Sequence, residues 1–125
     1  MVRKRGCGFT LVELLVVMAI IATLLSIVAP RYFQTLDRSK ETVLRQDLNI
    51  IRDAIDKFHG DTGAYPENLE ELAEKRYLRS IPVDPFTGSA ETWVTVPPDG
   101  RADGMYDIRS GSSEQAKDGT LYGDW

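Results

Sequence analysis

The chain has 125 residues, 15 basic and 19 acidic, for a formal charge of −4. Its only basic cluster is Arg3, Lys4 and Arg5, which argues against nucleic-acid binding, since a phosphate-tracking surface needs Lys and Arg massed on one face. The single cysteine, Cys7, allows no internal disulfide and leaves the compartment undecided.

Behind the basic start, Phe9 to Ala29 is a run of 21 almost wholly apolar residues. As a helix it measures about 32 Å, enough to cross a hydrocarbon core. The positive-inside rule keeps the N-terminus cytoplasmic and sends the acidic remainder across, which in a bacterium is the periplasmic side. A cleaved secretory signal shares the charged start and apolar middle, but Pro30 directly after "SIVA" makes a poor cleavage site. A lipoprotein signal fails because Cys7 precedes the apolar run. Glu13 separates the readings, since an acid in a span costs roughly 1–3 kcal/mol depending on depth and signals a function. Phe9 lies four residues ahead of it, about 6 Å along a helix. Cutting between Gly8 and Phe9 would create an ammonium group near that depth. A staggered neighbouring copy could then bring its own ammonium to Glu13, each charge offsetting the other's desolvation and setting the register between subunits. A plain anchor for a periplasmic binding domain would have no use for Glu13.

After Pro30 the chain turns polar but keeps a helical rhythm. Leu44, Leu48, Ile51, Ile55 and Phe58 form one apolar stripe, with Arg38, Lys40, Glu41, Arg45, Asp47, Arg52, Asp53 and Asp56 on the other faces. Pro30 is expected to kink the helix instead of ending it, giving one bent helix from about Phe9 to Phe58, with two separate helices as the alternative. Gly60, Gly63 and Pro66 break it. "PENLEELAEKRYL" predicts a short second helix with Leu69, Leu72 and Leu78 on its apolar side. "ETWVTV" and "MYDIRS" predict two strands joined by the turn "PPDGRADG", with "GTLYGDW" as a candidate third segment of the sheet. Such strands must pack on the stripe of the long helix.

"KRGCGFTLVELLVVMAIIATLLSIVAP" resembles the N-terminus of the type IV pilin and type II secretion pseudopilin superfamily. The matching features are a short basic leader ending in Gly8, then Phe9 and Thr10, glutamate at the fifth mature position (Glu13) and proline at the twenty-second (Pro30). The resemblance implies cleavage between Gly8 and Phe9 by a prepilin peptidase, N-methylation of Phe9, and polymerisation into a helical filament. In the second half, "GAYPENLEEL", "YLRSIPVDPFTG" followed by Trp93, and "DIRSG" with a late tryptophan are similar to the major pseudopilin family of type II secretion. A type IV major pilin usually carries a C-terminal disulfide loop, which this chain cannot form.

Little else carries chemistry. His59 stands alone at the end of the stripe with no cysteine partner, so metal-ligand spacing and a Cys/His nucleophile are absent. Calcium is the one cofactor candidate. "DIRSGSSEQAKDGTLYGDW" supplies Asp107, Ser110, Glu114, Asp118 and Asp124 in a glycine-rich loop, and a small core without disulfides would gain stability from an ion. The major pseudopilins that the chain resembles carry a structural calcium here. Their loop has an adjacent pair of aspartates near where this chain has Thr120 and Leu121; Ser110 and Glu114 match the pattern loosely, and Asp118 is displaced. "DGRADG" lacks the glutamate of an EF-hand and reads as a turn.

The expected fold is α+β and pilin-like: leader 1–8, a transmembrane and filament-core helix 9–29, and a periplasmic head 30–125 that includes the rest of the long helix. The expected role is a non-enzymatic subunit of a type II secretion pseudopilus in the bacterial inner membrane, assembled with copies of itself and other pseudopilins by a membrane platform and its ATPase. No cofactor is required. A minor pilin or related envelope subunit, and a membrane-tethered periplasmic binding domain, are the alternatives.

Overall fold

The computed structural model of the chain describes Gly8 and residues 10–125; the basic leader, Cys7 and Phe9 lie outside the described residues. Helix α1 (Leu11–Thr62) is followed by α2 (Leu69–Glu74), strands β1 (Val94–Val96) and β2 (Asp107–Arg109), and a closing 3-10 turn (Tyr122–Asp124). This is the α+β, pilin-like fold expected from the sequence. The chain divides into two compact units, 1–38 and 39–125, and the division falls inside α1.

In the first unit, α1 carries the apolar run with its side chains exposed, among them Leu11, Leu15, Met18, Leu24 and Ile27. It is long and apolar enough to cross a membrane. Hydroxyls in and just after the run turn back on the helix: Thr23, Ser26 and Thr35 donate to the carbonyls of Ala19, Ala22 and Arg31 at 2.8–2.9 Å. Their protons are satisfied by the chain itself, with no demand on lipid. The helix passes through Pro30 as expected, although proline has no N–H to give the Ser26 carbonyl.

In the second unit the predicted stripe is the core. Leu44, Leu48, Ile51, Ile55 and Phe58 are all buried, and Ala54 joins them. The helix runs past Gly60, expected from the sequence to be a breaker, and stops at Thr62. There Gly63 adopts φ +77° and donates to the His59 carbonyl at 2.8 Å, a left-handed cap that only glycine takes without strain. Helix α2 starts on the Asn68 side chain, which accepts from the Glu71 N–H at 2.9 Å. It is shorter than predicted. Arg76 turns left-handed (φ +65°) and the Tyr77 and Leu78 N–H groups bond back to Leu72, so Leu78 enters the core from beyond the helix.

Strands β1 and β2 pair antiparallel, with Thr95 opposite Ile108. Ile108, Met105 and Trp93 close over the helical stripe, and the Trp93 indole donates to the Pro82 carbonyl at 2.8 Å. "DGRADG" is the turn between them, with Gly100 and Gly104 at positive φ. The last segment differs from expectation. It adds no third strand, because the chain reverses at Gly119 (φ +91°) after a single bridge, Gln115 to Leu121, and winds into the 3-10 turn that buries Tyr122.

One charge lies deep in this unit. Asp84 is fully buried, accepting from the Phe86 and Thr87 N–H groups and from the Ser110 hydroxyl. On α1, burial and the Asp84 charge push the Asp47 carboxyl above the usual aspartate range. Because the folded-state value lies above the unfolded one, ionised Asp47 weakens the fold at neutral pH, and the penalty fades as pH falls through the raised value. Asp47→Asn should therefore raise the thermal midpoint by about 1–2 °C at pH 7, the site being partly solvated. Melts near pH 3, roughly where both forms are neutral, should show no gain.

Candidate assembly site and C-terminal loop

Glu13 has a partner not foreseen from the sequence. Its carboxylate Oε2 accepts from the Thr10 N–H at 3.4 Å, while its own N–H donates to Thr10 Oγ1 at 3.1 Å. Thr10 thus caps α1 and Glu13 sits three residues in, a reciprocal capping box that "TLVE" spells out in the sequence. The carboxylate also lies at the positive end of the helix dipole. The cap needs nothing before Thr10 except its own amide, so it survives a cut between Gly8 and Phe9. Among the described residues no cation pairs with Glu13, and Oε1 accepts no hydrogen bond. Gly8 is exposed in a bend, and a Cβ there would meet nothing within 4 Å among the described residues. The other half of the expected pair, Phe9, falls outside the described residues.

At the other end of the chain, some of the oxygens expected to hold calcium bond within the protein. The Ser110 hydroxyl is buried, donating to Asp84 Oδ2 and accepting from the Ser112 N–H. Asp118 Oδ1 accepts from both the hydroxyl and the N–H of Thr120, bonds that hold its carboxyl below the usual range. Glu114 is exposed, and its main chain bonds to Ser112 and Tyr122. Asp124 makes a loose pair with Arg109 at 3.8 Å. Among the described residues no group of three Asp, Glu, His or Cys side chains is placed to hold a metal ion.

A guanidinium occupies the centre of that region. From α1, Arg52 Nε donates to Asp107 Oδ1 at 2.7 Å, and one terminal nitrogen donates to the main-chain oxygens of Ile108 (3.1 Å) and Trp125 (2.8 Å). Arg45, two turns earlier, lies over the Trp125 ring at 4.4 Å, and the Tyr122 hydroxyl donates to Glu41 at 2.7 Å. Arg45, Leu48, Asn49, Arg52 and Trp125 line a shallow groove of about 290 Å³. The sequence places Arg52 only among the charges outside the stripe; nothing local announces partners 55 and 73 residues away. His59 stacks on Tyr65 in the last turn of α1, at 4.1 Å between rings.

A capped apolar helix that leads into a small α+β head is the architecture of pilin-like filament subunits. Residues 3–29 match the prokaryotic N-terminal methylation motif. The chain is 34% identical to type II secretion system core protein G of Pseudomonas aeruginosa over 102 residues, 69% of this chain and 72% of that one. It is 29% identical to the Escherichia coli protein of the same name over 119 residues, covering 82% and 79%. With the Xanthomonas campestris protein it shares 26% identity over 130 aligned positions, covering 96% and 87%. The chain belongs to the type II secretion system core protein G family. No solved structure matches it significantly.

Proposed function

We propose that the chain is a structural subunit of a type II secretion pseudopilus, held in the bacterial inner membrane by the apolar part of α1 until it is drawn into a filament. The observation that carries this is the family membership together with the state of Glu13, one of whose carboxylate oxygens is used by the cap while the other accepts no hydrogen bond among the described residues. Cleavage between Gly8 and Phe9 by a prepilin peptidase supplies that partner. The Phe9 ammonium of a neighbouring copy meets Glu13, and the two charges leave water together. The leader's Arg3, Lys4 and Arg5 hold the N-terminus in the cytoplasm, so the acidic head faces the periplasm. The subunit performs no chemistry of its own. Other pseudopilins, a membrane platform and its ATPase do the lifting, and the shared name of the relatives favours secretion over a pilus.

Intact mass and N-terminal sequencing of the protein recovered from its own bacterial membranes test the reading. A chain that begins at methylated Phe9 is the expected result. A chain that begins at Met1 would remove the ammonium partner of Glu13, and with it the assembly mechanism.

A further inference from the structure

A hard cation in a protein loop collects carboxylate and main-chain oxygens from segments that would otherwise part. Arg52 does this from within the chain. It gathers one carboxylate oxygen (Asp107) and two main-chain oxygens (Ile108 and Trp125) from two segments of the C-terminal region. We infer that Arg52 is the built-in cation of this head, closing the C-terminal segment onto α1 in place of a bound metal ion.

Three further points support the assignment. The guanidinium is a fixed positive charge with donors in a rigid fork, so it satisfies several oxygens at once and repels a divalent ion brought to the same carboxylate. Two of the side chains expected to ligate calcium already bond within the chain: the Ser110 hydroxyl to Asp84, and one Asp118 oxygen to Thr120. The rest of the closure also comes from α1. Glu41, Arg45 and Arg52 lie at spacings of four and seven residues, hence on one helix face, and hold Tyr122, the Trp125 ring and the Trp125 main chain respectively. The inference does not depend on the filament role, since it concerns only how the head is closed.

The experiment follows the near-ultraviolet circular dichroism of Trp93 and Trp125 in the full chain in detergent, heated in excess chelator and again in about 5 mM calcium. The expected midpoints agree within about 1 °C, whereas a site filled at a hundredfold excess over its Kd would raise the midpoint by roughly 10–20 °C. A rise of that size overturns the inference, as does saturable, calcium-competed terbium luminescence excited through tryptophan. Arg52→Gln is expected to lower the midpoint by roughly 8–15 °C in either medium, because charge-assisted bonds to three oxygens go together. Arg52→Lys keeps the charge without the fork and should recover less than half of the loss. A wild-type midpoint in Arg52→Gln would also overturn the assignment. Should that variant fail to fold, Arg52→Lys and the paired wild-type melts still decide.

Discussion

Glu13→Gln is expected to leave the chain inserted and its head folded, yet to cut filament yield at least tenfold. The structure makes glutamine the informative substitution. A glutamine three residues into a helix caps as a glutamate does, so the bond from Thr10 N–H is retained and only the charge is lost. On the proposed pairing, that loss would strand the ammonium of a neighbouring Phe9 in an apolar core, at a cost of roughly 3–5 kcal/mol per contact. Glu13→Ala removes cap and charge together. Filament yield by microscopy or sedimentation should fall equally in both variants, with membrane insertion and head melting unchanged. Wild-type yield from Glu13→Gln with loss in Glu13→Ala would mean that Glu13 serves the helix start alone.

Gly111→Ala should be the most damaging single-methyl change in the head. A Cβ at this position would stand 2.1 Å from the Thr92 carbonyl oxygen and 3.0 Å from its carbon. Both are backbone atoms, which cannot swing aside as a flexible side chain would. Making room means separating the chain just after β2 from the chain just before β1, beside the buried Trp93. A cost of about 3 kcal/mol, toward the upper end for overpacking, would lower the midpoint by roughly 12–24 °C. Gly60→Ala is the matching control. Gly60 is inside α1, exposed, with nothing within 4 Å of the added methyl, and alanine there should stabilise by about 0.5–1 kcal/mol. If thermal melts place Gly111→Ala level with the wild type, the close approach at Thr92 is not a constraint on the fold.

Features that depend on near neighbours in the chain are legible in the sequence. The stripe from Leu44 to Phe58 is a period, and a helix buries a period whatever lies opposite; all five residues are in the core. The apolar run and its acid are equally plain. The Thr10 cap is legible too, since "TLVE" fits the capping pattern, but the charge of Glu13 draws the eye away from its local bond. Helix α2 ends sooner than its sequence suggests because Arg76 takes a left-handed turn usually reserved for glycine, so no breaker marks the stop. The buried Asp84 and the Arg52 closure depend on contacts across tens of residues. "DIRSGSSEQAKDGTLYGDW" looks like a set of metal ligands when its acids are counted. Only the fold shows that Thr120 and Arg52 donate to Asp118 and Asp107, and that the Ser110 hydroxyl goes to Asp84.

The sheet of the head has two strands of three residues each, and in β2 the Ile108 N–H and carbonyl are bonded to the Asp107 and Arg52 side chains. Open edges are templates for cross-β growth, a hazard for any protein that waits at high local density before it is used. Here the hazard is blunted by shortness and by charge: Asp107 and Arg109 bracket β2, and prolines at 97 and 98 cut β1 off at Val96. The consequence is a head whose sheet offers little template for cross-β growth.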